Sequence, residues 1–308
     1  MAAVFCKICR SDQTEFLFEK NGFDLYSCAQ CRVVFAYNEL SQSQLEELLG
    51  SLYSEPYFSL QKEPQHGNLG YQTDYFSQKK EEKYRFAARM LKQIDRIKPR
   101  MGRMLDVGCA AGFFLHAAKQ RGWQTVGIEL SQAAAAFARD QFGLDVVVGT
   151  LETTEMGSAS FDVITAWDVI EHVTDPQKFV QAAARLLKHD GILVLGTPNA
   201  GALAARLRGK AWKIYKPPEH LFYFNPGSLR YLLKPYFEIL KIEYSPAPPT
   251  RIYGSLFKKA KYAAYRIFDA AATFLQHSEY LVACASFPEL TKRIDAEFTA
   301  ESKTRNRD

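Results

Sequence analysis

From residue 101 onward, short apolar runs alternate with longer stretches of helical period. The apolar runs fall at 103–107, 124–128, 145–148, 161–166, 191–196, 236–244 and 279–286. Runs of that length that stay apolar throughout fit strands buried on both faces of a sheet. Between them, 132–141 has helical period behind Ser131, a residue that caps helix N-termini well, and 227–234 reads as a further helix. Strand alternating with helix predicts an α/β fold, a doubly wound, mostly parallel seven-stranded sheet. Its last two strands arrive as a pair, which predicts an antiparallel end. Ahead of this unit, 44–52 and 79–97 have helical period. Residues 53–75 are rich in aromatics, Gly and Pro and show little period.

The first strand of this unit ends in Leu105-Asp106-Val107-Gly108-Cys109-Ala110-Ala111-Gly112 and passes into a helical pattern at Phe113. A strand, a tight small-residue turn and a helix N-terminus make a cradle for a nucleotide-like ligand, because the backbone can approach closely. The dinucleotide fingerprint wants glycine at the first, third and sixth positions. Here the sixth is Phe113 and the third Ala110, which disfavours NAD. About twenty residues on, Gly127-Ile128-Glu129-Leu130-Ser131 places an acid at a strand end, where a carboxylate accepts hydrogen bonds from ribose hydroxyls.

With Phe161-Asp162-Val163-Ile164 and Leu186-Leu187-Lys188-His189-Asp190-Gly191 following in order, the chain resembles the class I S-adenosylmethionine (SAM) dependent methyltransferases over roughly residues 80–290. The resemblance implies SAM as cosubstrate, with Glu129 taking the ribose. Gly108, Ala110, Gly112, Phe113 and Leu130 would line the site, and Asp106 would orient the loop or meet the amino-acid end. The acid usual after the third strand is absent, since Val148-Gly149-Thr150-Leu151 stands there, so Thr150 and Leu151 are the adenine-side candidates. Trp167 closes the crevice after the fourth strand. It leads into Asp168-Val169-Ile170-Glu171-His172-Val173, which is similar to the Glu-His-Val of ubiquinone-pathway methyltransferases.

A second Glu-His pair stands in Lys216-Pro217-Pro218-Glu219-His220. It resembles the pair that follows the fifth strand in deoxysugar C-methyltransferases, where acid and histidine are implicated in deprotonating a sugar. That makes His220 the candidate base, assisted by Glu219, since imidazole titrates near neutral pH. A turn-stabilising role for His220 and a packing or capping role for His172 are the competing readings.

The N-terminus carries Cys6-x2-Cys9 and Cys28-x2-Cys31, with eighteen residues between the pairs. Two knuckles folded onto each other by a hairpin bring four thiolates to a tetrahedral zinc ion, with no position open for catalysis. The segment is too short for a core of its own, so metal would supply its folding energy. These patterns divide the chain into a zinc ribbon at 1–38, linker and lid helices at 39–100, the SAM-binding domain at 101–290, a helical insertion at 250–277 and a charged tail beyond.

Composition narrows the partners. A chain of 308 residues with a net charge of +5 has no long block of like charge, and the ribbon's four bases are balanced by four acids. Nucleic acid is therefore disfavoured as partner, and Ala166-Trp167-Asp168-Val169 lacks the motif for base amino methylation. No signal peptide or membrane span is evident, which predicts a cytoplasmic protein with reduced thiols. Arg206, Arg208, Lys210, Lys213 and Lys216 precede the second Glu-His pair without an acid, which suits a phosphate-bearing acceptor such as a nucleotide- or lipid-linked sugar. Residues 253–275 form an amphipathic helix with a basic edge, either packed on the domain or meeting a membrane surface. An RNA methyltransferase and a SAM-binding protein without turnover are the rival functions.

Overall fold

The computed structural model describes residues 3–52, 80–245 and 278–291. The aromatic-rich stretch at 53–75, the amphipathic helix expected at 253–275 and the charged tail lie outside the described residues. No described helix is long and apolar enough to cross a membrane.

The larger of two sheets has seven strands, in the order β10 (Glu238–Ser245), β11 (Tyr280–Ser286), β8 (Leu187–Pro198), β7 (Phe161–Trp167), β4 (Arg103–Val107), β5 (Gln124–Glu129), β6 (Asp145–Val148). Strands β4 to β8 pair in parallel, and β11 inserts antiparallel between β8 and β10. The expected strands are all present. Strand order reverses beside β4, and ligands of open α/β sheets bind at such a switch point, beyond the carboxyl ends of the strands.

Apolar residues cover both faces. On one side α2 (Lys80–Ile97) and α3 (Phe113–Gln120) set Met90, Leu91, Ile94 and Phe114 against Met104, Val163 and Val194. On the other, α5 (Pro176–Leu186) and α6 (Pro226–Leu233) bring Phe179, Val180, Leu229 and Leu232 to Leu105, Ile164 and Leu193. The sequence explains each start. Asp175 accepts from the N–H groups of Gln177 and Lys178 ahead of Pro176, and Asn225 and Ser228 form a reciprocal capping box ahead of Pro226. Helix α4 (Gln132–Phe142) starts on Ser131 as expected, the hydroxyl accepting from Ala134 N–H.

The N-terminal segment folds as β1 (Thr14–Lys20), β2 (Phe23–Cys28) and β3 (Val34–Tyr37), followed by α1 (Gln42–Leu52). Its sheet takes a fourth strand from far along the chain, β9 (Phe222–Tyr223), with Val34 opposite Tyr223 and Phe35 opposite Phe222. The ribbon and the large domain also share one apolar core: Ile8, Val33 and Phe35 belong with Leu221, Phe222, Phe224 and Ile170. The β3–β9 pairing therefore joins the cysteine-bearing sheet to the segment that carries Glu219 and His220.

Phe222 is fully buried at this junction. Phe222→Ala is expected to lower the free energy of unfolding by about 3–5 kcal/mol, read from urea denaturation of the full chain. Amide exchange should rise together in β3 and in residues 219–224.

Candidate active site

Two clusters face the carboxyl ends of the central strands. The first is built on the turn after β4. Gly108 N–H and Cys109 N–H both donate to the Ile128 carbonyl, at 2.8 and 3.0 Å, which ties the turn to the end of β5. Gly108 has φ +67°, and a Cβ there would stand 2.5 Å from Val169 Cγ2, so both the backbone and the space require glycine. Ala110 also takes a left-handed φ, +47°. Gly112 is required on both counts as well: its φ is +77°, and a Cβ would strike Leu144 and Ala138, so its absence lets the turn pack against α4.

Glu129 ends β5 with 7% exposure. Its two carboxylate oxygens accept from Ala110 N–H at 2.7 Å and Ser131 N–H at 2.8 Å. Burial pushes its pKa up, and the N–H groups of Ser131, Ala110 and Leu130 pull it back down. Each oxygen keeps a further lone pair, so the side chain can still accept from two vicinal hydroxyls. Asp106 lies beneath the turn, almost fully buried, and accepts a 2.6 Å bond from Thr165 Oγ1. Burial raises its pKa to about 7.

The other cofactor-side candidates are less concentrated. The Phe113 ring packs edge-on against Tyr84 and Phe142 with Lys83 above it, and Leu130 is exposed. Thr150 hydrogen-bonds Thr153 within its own turn, and Leu151 is buried in the core. Trp167 ends β7 between Phe86 and Phe114.

The second cluster joins three segments that are distant in sequence. The turn after β7 supplies Glu171 and His172, β8 supplies Thr197, and the loop before β9 supplies Lys216, Glu219 and His220. The Glu171 carbonyl accepts from both Leu221 N–H at 2.8 Å and Phe222 N–H at 3.1 Å, which lays the loop against the end of β7. His172 Nδ1 lies 2.7 Å from the Glu219 carbonyl. A carbonyl only accepts, so the shared hydrogen sits on Nδ1. The His172 and His220 rings meet edge to face with centroids 4.5 Å apart.

The Glu219 carboxylate turns to Lys216, with Nζ 2.5 Å from Oε1. The acid closest to the histidines is Glu171, whose Oε1 lies 3.9 Å from His172 Nε2 and whose Oε2 accepts from Thr197 Oγ1 at 2.9 Å. Burial raises the Glu171 pKa well above the usual carboxylate range, and the nearby Asp168 charge adds to this. Both histidines move the other way. Burial, aided by the Lys216 charge, lowers His172 to about 3, and burial with His172 and Lys216 lowers His220 well below 6.5. Both rings are therefore neutral at neutral pH, more acidic than the near-neutral titration expected of a histidine base.

Thr197 was not evident from the sequence, because only the pairing of β8 beside β7 brings it to Glu171. The basic run is partly consumed by structure. Arg208 pairs with Glu279 at 2.8 Å and Lys216 with Glu219, while Arg206, Lys210 and Lys213 remain exposed.

The four N-terminal thiols converge as their spacing suggests, with Cys6 Sγ 3.5 Å from Cys31 Sγ and Cys9 Sγ 3.4 Å from Cys28 Sγ. The two knuckles repeat one backbone pattern. Cys6 N–H bonds the Ser11 carbonyl and Arg10 N–H the Cys6 carbonyl; Cys28 N–H bonds the Val33 carbonyl and Arg32 N–H the Cys28 carbonyl. Arg10 and Arg32 close the two turns in the left-handed region. All four sulfur atoms lie within 4.8 Å of one another, a donor set that can hold a tetrahedral zinc ion.

Gly108→Ala should destabilise the protein by about 1–3 kcal/mol, from left-handed strain and the contact with Val169. Val169→Ala should restore part of that loss in the double variant, a coupling that thermal denaturation of the four-member cycle would measure.

A family model described as a methyltransferase domain matches residues 76–236, more than half of the chain. The ubiquinone biosynthesis O-methyltransferase of Paracidovorax citrulli is 36% identical over 119 residues, covering 36% of this chain and 50% of that protein. The same-named enzyme of Caulobacter vibrioides is 32% identical over 145 residues, covering 40% of this chain and 57% of its own. The chain thus spans about half the length of the curated relatives it matches. A SAM-dependent methyltransferase structure from Archaeoglobus fulgidus aligns with a TM-score of 0.49 at 18% identity, covering 66% of this chain and 93% of that one. The family match over residues 76–236, laid on the strand order described above, places this chain among the class I methyltransferase domains.

Proposed function

We propose that this protein is a SAM-dependent methyltransferase acting on a hydroxyl group or acidic carbon of a small-molecule acceptor. The observation that carries the reading is Glu129, a buried carboxylate at the end of β5 whose two oxygens are aligned by the N–H groups of Ala110 and Ser131. Its remaining lone pairs suit the vicinal diol of a ribose, and the Gly108 turn admits a ligand close to the backbone. Charge-assisted bonds of this kind contribute roughly 1.5–3 kcal/mol each. The ubiquinone-type relatives support an O-methyl acceptor, and the exposed Arg206, Lys210 and Lys213 favour one that bears phosphate, such as a nucleotide- or lipid-linked sugar.

When bound, SAM supplies an already activated methyl group. The protein's part is to fix the acceptor in line, exclude water and remove its proton. Trp167 and Gly108 wall the crevice, and proton removal falls to the Glu171–His172–His220 cluster beside it. His220 brings Nδ1, a buried nitrogen without a hydrogen-bond partner among the described residues. Glu219 acts as a positioning residue: its carbonyl orients His172 and its carboxylate holds Lys216. We further infer that Cys6, Cys9, Cys28 and Cys31 hold a structural zinc ion that stabilises the sheet bearing β9.

The test separates binding from chemistry. Glu129→Ala should weaken S-adenosylhomocysteine binding at least tenfold in calorimetry. His220→Ala should preserve that affinity while lowering turnover by about 10²–10⁴-fold. Equal affinity in wild type and Glu129→Ala would refute the cosubstrate assignment. In the pH profile of turnover, the acid limb should lie below 6.5, because a histidine of lowered pKa stays deprotonated until more acid conditions.

A further inference from the structure

We propose that Glu171, His172 and His220 form a divalent-cation site of two imidazoles and one carboxylate at the end of β7, distinct from the four-cysteine cluster. One ligand atom from each of the three lies within 4.8 Å of the others. Two of those side chains carry buried atoms that make no hydrogen bond among the described residues, Glu171 Oε1 and His220 Nδ1. Glu171 is 1% exposed and His220 4%. Buried polar atoms in a folded protein normally find partners, so two such atoms in one cluster, neither bonded to the other, mark a place where a further group belongs. With the carboxylate ionised and Nδ1 deprotonated, a single cation satisfies both.

The surroundings resemble the outer support of a metal centre. His172 gives its Nδ1 hydrogen to the Glu219 carbonyl at 2.7 Å, which leaves the Nε2 lone pair directed toward Glu171 Oε1 at 3.9 Å. Metal-binding histidines are commonly fixed in this way by a backbone carbonyl on the far nitrogen. Thr197 Oγ1 holds the other oxygen of Glu171 at 2.9 Å, which orients that carboxylate. The Lys216 ammonium, whose charge would oppose a cation, is paired with Glu219. Ligands about 2.0–2.2 Å from a metal lie roughly 3–3.5 Å apart, so the three side chains must close by small rotations from the present spacing.

Two imidazoles with one carboxylate favour a first-row divalent ion such as Zn2+ or Mn2+ and leave coordination positions open. An oxygen of the acceptor can take such a position, which would lower the pKa of a hydroxyl. This last step rests on the methyl-transfer reading; the site itself does not. It also gives His220 a role other than direct proton acceptance.

The test is metal stoichiometry of the full chain, measured without turnover, so its failure is separable from failure of the methyltransferase assignment. Protein dialysed against low-micromolar Zn2+ should contain two zinc ions per chain. Glu171→Gln and His220→Gln should each contain one and unfold cooperatively in thermal melts. Wild type carrying one zinc per chain, its thiolates filled, should bind one equivalent of Mn2+ in a spin-resonance titration. Glu171→Gln should bind it at least tenfold more weakly. One zinc per chain with no Mn2+ bound by wild type would overturn the proposal. A second ion that persists unchanged in both variants would overturn it as well.

Discussion

One backbone oxygen sets the geometry of the Glu171–His172–His220 cluster. The Glu171 carbonyl, at the turn after β7, accepts from Leu221 and Phe222 together. That pins the loop carrying Glu219 and His220 onto the end of a central strand. Together with the bond from His172 Nδ1 to the Glu219 carbonyl, it joins the two segments so that the His172 and His220 rings meet edge to face. The next residues, Phe222 and Tyr223, then pair with β3, so the same few residues bind the large domain to the cysteine-bearing sheet. The cysteine-bearing sheet is tied to the segment that carries His220 by this short strand and by the bonds of Asn21 to the Pro217 carbonyl and Asn225 to the Arg32 carbonyl. Such contiguity through packed elements is a physical basis for coupling.

The electrostatics of the two clusters follow from how each is buried. Glu129 is enclosed but surrounded by N–H donors, which offset the cost of keeping a carboxylate in a dry site. Glu171 has one hydroxyl donor and two neutral histidines, so burial dominates and its proton is held far more tightly. A carboxylate pushed up beside histidines pushed down is the pattern of an acid–base or metal centre rather than of a stabilising ion pair. The donors around Glu129 favour its charged, accepting form, and the surroundings of Glu171 favour its protonated form.

Much of the fold was legible because its signals are local. Continuous apolar runs gave β4 through β7 within a residue or so, and Ser131 marked the start of α4. Strand β8 was placed too late, at 191. Its first residues, Leu187-Lys188-His189-Asp190, are mostly polar and follow α5 without a break, so neither period nor a turn marks the change. Strand β9 had no local signal, since two residues acquire strand geometry only from a partner near the other end of the chain. The site divides in the same way. Glu129 and the cysteine knuckles are fixed by spacing along the chain. The Glu171–Thr197 bond and the turning of Glu219 toward Lys216 arise only when three distant segments converge.

The account places cosubstrate and acceptor chemistry on either side of one switch point, Glu129 on one and the Glu171–His172–His220 cluster on the other. A crystal structure of the full chain with S-adenosylhomocysteine tests this most directly. The account predicts ribose hydroxyls on the Glu129 carboxylate, the thioether sulfur facing the Glu171–His172–His220 cluster, and the amino-acid end beside the Gly108 turn. A ligand bound away from Glu129, or with its sulfur directed away from that cluster, would contradict it.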